Sequence, residues 1–394
     1  MTSPTSAEAL YQLSEHLRDV RRQLVVKVMD NQKTGTGLVD ELKAGLSALR
    51  NIRQLNGKPY LDTLSGRKLV IQVNEEILSL EKDILFLEKG EDALIHRMDN
   101  DILNYRKQVD QVVSFLKNRK VSMLISDRDG TLNVSSERYW TSVQPLYSAV
   151  FTGRFIIKQN IMPLIISSAP LQNYGLLDMV TDKKGLWNYS ASNGIQCVNL
   201  SGSYSQLSVY PEWENVFDTL NNSLQAILGE PEFSSFRYTG NGCQQWFLFT
   251  AVTYQDQQMT IPEHLSQTFY SRIRDTMRNA DPSGRYLQFT SDNKTIFIAP
   301  RIQRMINLDK AYGLKYLIQT LNLGLEEAVP LVCGDNKQDL SMLGECVARN
   351  PHTVAVFVTT DPALKSKVSG ICFNSVFVTC PDILLSSLAV LSQL

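Results

Sequence analysis

Residues 121–133 read VSMLISDRDGTLN. A short apolar run leads into Asp127, Asp129 follows two positions on, and Gly130 and Thr131 close the segment. An apolar run of this length ending in acidic residues and a glycine reads as a buried strand emptying into a loop. In an open parallel sheet, the loops at the carboxyl ends of strands are where ligands bind. Two carboxylates so close together at such a place can hold a hard cation and do chemistry beside it.

Working outward, three more segments carry the same kind of signal. MPLIISSAP (162–170) is an apolar run ending at Ser167 and Ser168, whose hydroxyls suit a phosphate oxygen beside free backbone N–H groups. In NLDKAYGLKYLIQTL (307–321), Asp309 can cap a helix, which puts Lys310 in the first turn, where the macrodipole disfavours a cation. A lysine there makes sense beside an anion. VPLVCGDNKQDLSML (329–343) is another buried strand, ending at Gly334 and Asp335. Asp335 can ligate a cation, while Asp339 and Asn336 stand where they can orient its neighbours. A weaker signal is the turn Asn193-Gly194 in SASNGIQCVN (190–199).

The pattern around these segments alternates strand and helix from Val121 onward, which signals an α/β domain. The expected core strands are 121–126, 162–167, 329–333 and 353–358. Between them, from 186 to 300, an αββ arrangement occurs twice. Its helices are expected near 212–228 and 262–280. Its strand pairs are expected at 235–239 with 244–254, turned by Gly240-Asn241-Gly242, and at 285–290 with 294–299. This reads as an insertion, because the α/β pattern resumes at 301–394.

Residues 1–120 read as helical, with a break at 31–37 and a turn at 56–59. Leu10, Leu13, Leu17, Val20, Leu24 and Val28 make one apolar stripe, and Leu42, Leu46, Leu49 and Ile52 a second. Val70, Val73, Ile77, Leu80, Ile84 and Leu87 keep a heptad pattern, continued after Gly90 through Leu116. Sustained heptads suggest a coiled coil or long helix, and hence a homo-oligomer seam or a protein-partner surface.

The 394 residues carry 39 Lys plus Arg against 40 Asp plus Glu, a balance that argues against a nucleic-acid binder. No membrane span and no secretory leader are expected from the hydropathy pattern. The six cysteines form no CxxC pair and read as buried free thiols in a reducing, cytoplasmic setting.

DRDGT, a strand ending in serine, a lysine at a helix start and GDxxxD, in that order, resemble the four motifs of the haloacid dehalogenase superfamily. The αββαββ insertion resembles that superfamily's C2 cap, in the form shared by trehalose-6-phosphate, sucrose-phosphate and mannosylglycerate-phosphate phosphatases. The helical start resembles the MIT-like region of the nematode-type trehalose-6-phosphate phosphatase family. The resemblance implies a Rossmannoid α/β core, an inserted α+β cap and an N-terminal all-α domain. It also implies a Mg²⁺-dependent phosphatase acting on a sugar phosphate, with trehalose 6-phosphate the foremost substrate. Asp127 is then the nucleophile and Asp129 the general acid and base. Ser167, Lys310 and Thr131 hold the phosphate, and Asp127, Asp129 (through its carbonyl) and Asp335 hold the metal. Gln244, Gln245, Arg301 and Arg304 are polar candidates for reading the sugar. A phosphomutase and a scaffold working through its helical domain are the competing readings.

Overall fold

The computed structural model describes residues 1–62, 68–135, 142–207, 211–256, 259, 261–301 and 308–394. The chain opens with α1 (Ala7–Met29) and α2 (Thr36–Arg50). Ser6 caps α1 by accepting a hydrogen bond from the Ala9 amide, meeting one of the donors a helix start leaves open. The first departure from the helical expectation follows. β1 (Gln54–Leu55), β2 (Lys58–Asp62) and β3 (Lys68–Val70) form a small antiparallel sheet. Leu55 pairs with Lys58 across Asn56 and Gly57, both at positive φ. A two-residue Asn-Gly loop matches the twist of a hairpin, so Val70 is a strand residue and not part of a helical stripe.

Helix α3 (Asn74–Lys89) ends at Gly90, at φ 84°, and α4 (Glu91–Asp101) is separated from α5 (Tyr105–Leu116) by Asn104 in the left-handed conformation. The third stretch is therefore three helices, not one long rod. Beyond it come β4 (Met123–Ser126), α6 (Leu146–Lys158), β5 (Met162–Ile166), α7 (Leu176–Met179), β6 (Asn188–Ala191), β7 (Gln196–Val198) and β8 (Tyr204–Gln206). The insertion supplies α8 (Pro211–Gly229), β9 (Cys243–Trp246), β10 (Phe249–Thr253), α9 (Glu263–Ala280), β11 (Leu287–Ser291) and β12 (Thr295–Pro300). The chain then returns through α10 (Lys310–Thr320), β13 (Pro330–Gly334), α11 (Asp339–Arg349), β14 (Val354–Val358), α12 (Pro362–Ile371), β15 (Ser375–Val378) and α13 (Pro381–Leu391).

The main sheet has the order β15-β14-β13-β4-β5-β6-β7-β8, parallel from β15 to β6. From β4 the chain builds outward one way through β5 and β6, and later the other way through β13, β14 and β15. The reversal between β4 and β13 is a topological switch point, where a parallel sheet opens a crevice at its carboxyl ends. Asp127 follows β4 and Asp335 follows β13, so topology alone brings both to that crevice. Residues 188–206, read with the insertion, are instead hydrogen-bonded into this sheet as β6, β7 and β8.

One face of the sheet, with Leu124, Ile165, Leu331 and Val356, is covered by α6 and α13, and the N-terminal helices lie on these in one continuous core. Helix α1 packs on α6 and α5 on α13. Leu10, Leu13, Leu17, Val20 and Leu24 are all buried there, each contributing roughly 1.5–3 kcal/mol. The first apolar stripe is thus covered within the chain. Arg21, fully buried on α1, donates to Glu76 (2.7 Å) and Asp83 (2.6 Å) of α3, and Asp83 accepts the Tyr147 amide of α6. The other face, with Ile125, Leu164, Val332 and Phe357, is covered by α10, α11 and α12.

The inserted unit is a four-stranded antiparallel sheet, β11-β12-β10-β9, with α8 and α9 on one face around Phe217, Phe236, Phe269 and Ile298. The αββ repeat is present, but its first hairpin is displaced along the chain. Residues Ser234–Tyr238 form a 3-10 turn, and the hairpin closes at Phe247-Leu248, with Trp246 opposite Phe249. Leu248 takes a positive φ and is buried, and the Phe247 amide donates to the Ser192 hydroxyl of the core. That long-range contact, and no turn residue, decides the hairpin. All six cysteines are free, and no helix among the described residues is long and apolar enough to cross a membrane.

Candidate active site

The Asp127 amide continues the β4–β13 ladder by donating to the Cys333 carbonyl at 2.9 Å. The chain then turns sharply, with the Leu132 and Asn133 amides both on the Arg128 carbonyl. Gly130 sits at φ 84°, and a Cβ there would come within 2.2 Å of Asp335 Oδ2, so only glycine lets the two acidic loops meet.

Lys310 is the first residue of α10, whose N-cap is Asp309, accepting from the Tyr312 amide. Its ammonium is buried and donates to Asp127 Oδ1 at 2.5 Å and Asp339 Oδ1 at 2.6 Å. Asp339 Oδ2 accepts the amides of Asp335 and Asn336, at 2.9 and 3.1 Å. The Asn336 side chain donates to Asp335 Oδ1 at 2.7 Å. Oδ2 of Asp127 and Oδ2 of Asp335 accept no hydrogen bond from any described residue. Ser167 stands at the end of β5 in the same cleft, of about 580 Å³, which Asp127, Asp129, Lys310, Asp335 and Asn336 also line. Thr131 is fully buried and does not line it. This placement does not suit the phosphate contact expected of it.

Asp129 lines the same cleft and has its own set of partners. The buried Arg128 guanidinium donates through Nη2 to both its oxygens, at 2.6 and 2.5 Å, and Asn133 and Ser142 add longer contacts at 3.3 and 3.2 Å. Sequence reasoning missed these three partners. Arg128 lies inside the quoted stretch, but its pairing depends on the turn, and nothing local marks Ser142.

The electrostatics ask for more positive charge. Burial pushes the Asp127 carboxyl well above the ordinary range, against the pull of Lys310, with Asp339 and Asp129 adding to the rise. Asp335 is pushed up to about 7 by burial and by Asp339. Burial would lower the Lys310 ammonium, but Asp127 and Asp339 outweigh it and raise it. Asp127, Asp335 and Asp339 each bring an oxygen within 4.8 Å of the others. In and directly behind the cleft, five carboxylates (Asp127, Asp129, Asp335, Asp339 and Asp361) face three side-chain cations (Lys310, Lys337 and Arg128). A hard divalent cation fits this all-oxygen, charge-deficient set. Asp339 is already engaged by Lys310 and two amides, which leaves Asp127 and Asp335 as the side chains to hold it.

The cleft continues, past Ser168 and Gln338, into a second chamber of about 650 Å³ under the inserted sheet. Strand register puts Gln244, Trp246, Phe249 and Phe297 on the face that lines it. Trp246 and Phe249 rings lie 5.1 Å apart, and Phe249 and Phe297 6.1 Å. Gln244 Nε2 and Trp246 Nε1 are buried without a hydrogen-bond partner. No charged side chain among the described residues lines this chamber. Gln245 points the other way and donates to the Asn221 carbonyl. Arg301 donates to the Leu287 carbonyl and does not line the chamber, and Arg304 lies outside the described residues.

A switch-point pair of acidic loops, a buried lysine from a helix start and an inserted cap sheet together place the chain in the haloacid dehalogenase class. Residues 124–384 match the family model for the trehalose-6-phosphate phosphatase C-terminal region, and residues 6–105 that for the trehalose-6-phosphate phosphatase N-terminal helical bundle domain. The chain belongs to the trehalose-6-phosphate phosphatase family. A Caenorhabditis elegans relative named alpha,alpha-trehalose-phosphate synthase [UDP-forming] 2 is 29% identical over 98% of the chain. The chain spans only 34% of that relative's length. The Brugia malayi trehalose-phosphatase is 24% identical, over 93% of this chain and 82% of its own. Among solved structures, an Aspergillus fumigatus trehalose-6-phosphate phosphatase aligns with a TM-score of 0.41 at 13% identity, covering 74% of this chain and 98% of its own.

Proposed function

We propose that the chain hydrolyses trehalose 6-phosphate to trehalose and phosphate. The observation that carries this is one continuous cleft. It has buried carboxylates and Lys310 at one end and an uncharged, aromatic sheet face at the other. The acidic end suits a phosphate monoester with a divalent cation, and the neutral end suits a sugar ring. Family membership over both parts of the chain supports the choice of sugar.

Phosphate monoesters are nearly inert in water, so the site must supply a very large acceleration. Asp127 attacks phosphorus as the P–O bond to the sugar breaks, forming an aspartyl-phosphate and dividing one hard step into two. Asp129 gives a proton to the departing sugar oxygen and later takes one from the water that cleaves the intermediate. Lys310 holds Asp127 in line and, with Ser167, meets phosphate oxygens. Mg²⁺ held by Asp127, Asp335 and the Asp129 carbonyl would offset the repulsion between carboxylate and phosphate dianion.

The test is phosphate release with Mg²⁺ from trehalose 6-phosphate, sucrose 6-phosphate and mannose 6-phosphate, with Asp127→Asn as control. Preference for trehalose 6-phosphate, abolished in Asp127→Asn, is the expected result. Substantial turnover in Asp127→Asn overturns the mechanism, and preference for another sugar overturns the substrate.

A further inference from the structure

Arg128 is buried to 1% exposure and does not line the cleft. Only Nη2 of its guanidinium has hydrogen-bond partners: both oxygens of Asp129 and, at 3.1 Å, the Met179 sulfur. Nε and Nη1 are buried without partners. Unmet buried donors cost stability, and an apolar side chain would fill the same space without that cost. Arginine is therefore a poor choice for packing here, and the one nitrogen that is engaged, Nη2, is the group that meets both Asp129 oxygens.

The backing of Arg128 comes from the N-terminal helices. Arg18 and Arg22 of α1 reach across to the carbonyls of Asp178 (2.9 Å) and Val180 (2.7 Å), on either side of Met179. Gln144 binds the same segment, its amide donating to the Met179 carbonyl and its side-chain oxygen accepting the Thr181 amide. Met179 is thus gripped at both flanks, and its sulfur rests on the guanidinium that holds Asp129.

We infer that Arg128 is a positioning residue for the proton-transferring Asp129, and that α1 of the helical bundle holds it in register through residues 178–180. The bundle is then part of the catalytic apparatus and not only an appended module. The inference rests on the proposed acid–base role of Asp129. In that step Asp127 bonds to phosphorus, the P–O bond to the sugar breaks, and the released electron pair takes the proton from the Asp129 carboxyl. A sugar alkoxide needs that proton, whereas p-nitrophenolate leaves as a stable anion without it.

The experiment compares the single-turnover release of trehalose from trehalose 6-phosphate with that of p-nitrophenolate from p-nitrophenyl phosphate, which reads phosphoryl transfer to Asp127 before water enters, in Arg128→Met, Arg18→Ala/Arg22→Ala and Asp129→Asn, all as full chains with Mg²⁺. The expected result for Arg128→Met is a release rate from the sugar phosphate about 10-fold lower or more, with release from the aryl phosphate within about 3-fold. The double variant, which keeps Arg128 and covers the case that Arg128→Met does not fold, shows a smaller loss of the same selectivity. Equal loss on both substrates, or no loss, in Arg128→Met beside a selective loss in Asp129→Asn overturns the positioning role alone. An unselective loss in Asp129→Asn overturns the acid–base reading and the inference with it. An unchanged substrate ratio in the double variant overturns the part played by α1.

Discussion

Gly313 of α10 and Gly194 of the turn after β6 meet backbone to backbone. A Cβ on Gly313 would lie 1.9 Å from the Asn193 carbonyl oxygen, and one on Gly194 would lie 2.8 Å from the Gly313 Cα. The Asn193 side chain completes the joint by donating to the Leu308 carbonyl, just before the helix. This contact sets how close the first turn of α10 comes to the sheet, and so where the Lys310 ammonium ends. Gly313→Ala is expected to force the helix outward, costing about 1–3 kcal/mol as overpacking does. Phosphatase activity should fall further than stability does. Thermal unfolding and kcat/KM check it, and a Gly313→Ala protein with wild-type activity would contradict the account.

Cation binding should stabilise the fold, because carboxylates outnumber side-chain cations at the site by five to three. Mg²⁺ at about 100 times its dissociation constant adds roughly 2.7 kcal/mol. Asp335→Asn removes a ligand and should lose most of that increment while unfolding normally without Mg²⁺. Calorimetry with Mg²⁺ and with a chelator reads both. An equal increment in the variant would place the cation elsewhere.

Strand register makes a contrast between neighbours. Gln244 and Trp246 face the neutral chamber, while Gln245 faces α8. Trp246→Ala and Gln244→Ala are expected to raise KM for the sugar phosphate by about 10-fold, as loss of ring contact and of a buried donor's partner does. Both should leave p-nitrophenyl phosphate turnover near wild type. Gln245→Ala should leave both substrates unchanged. Steady-state kinetics on the two substrates decides it, and a Gln245 effect as large as that of Gln244 would contradict the register argument.

Beside the 178–181 segment, burial pushes the Asp182 carboxyl up to about 7, against hydrogen bonds from Gln144 and Tyr189 and the charges of Arg22 and Arg128. The folded chain therefore keeps a proton that the unfolded chain has already lost at pH ~4. This contribution to stability is complete below that pH and disappears as pH rises through about 7. Asp182→Asn should remove it, making the fall in stability between pH 5 and 8 shallower by about 1–3 kcal/mol. Urea midpoints at the two pH values test it, and an unchanged difference would exclude Asp182 as a source.

The parts of the site legible in the sequence are those whose signal is local. The run 121–126 is apolar because β4 is covered on both faces, and its acidic ending marks a strand terminus. Asp309 before Lys310 is a cap readable from residue type alone. The turn at 56–57 is equally local, since Asn-Gly is a strong turn signal, but the two-residue strand before it is too short to show a period of two, so the flanks of the turn read as helix. The hairpin at 247–248 had no such signal. Leu248 takes a positive φ because the tip is buried against the core, where the Ser192 hydroxyl accepts the Phe247 amide.

The sequence by itself determined the α/β core, the double αββ insertion and the acidic loops, because periodicity and strand-end chemistry are properties of short segments. Only the tertiary structure decided which groups meet. It turned Asp129 onto Arg128, gave Asp339 to Lys310 and the Asp335 loop, split Gln244 from Gln245 and closed the helical stripe onto α6. Each of those outcomes depends on register or on contacts between residues far apart in the chain, and pairings of that kind leave no trace in local spacing.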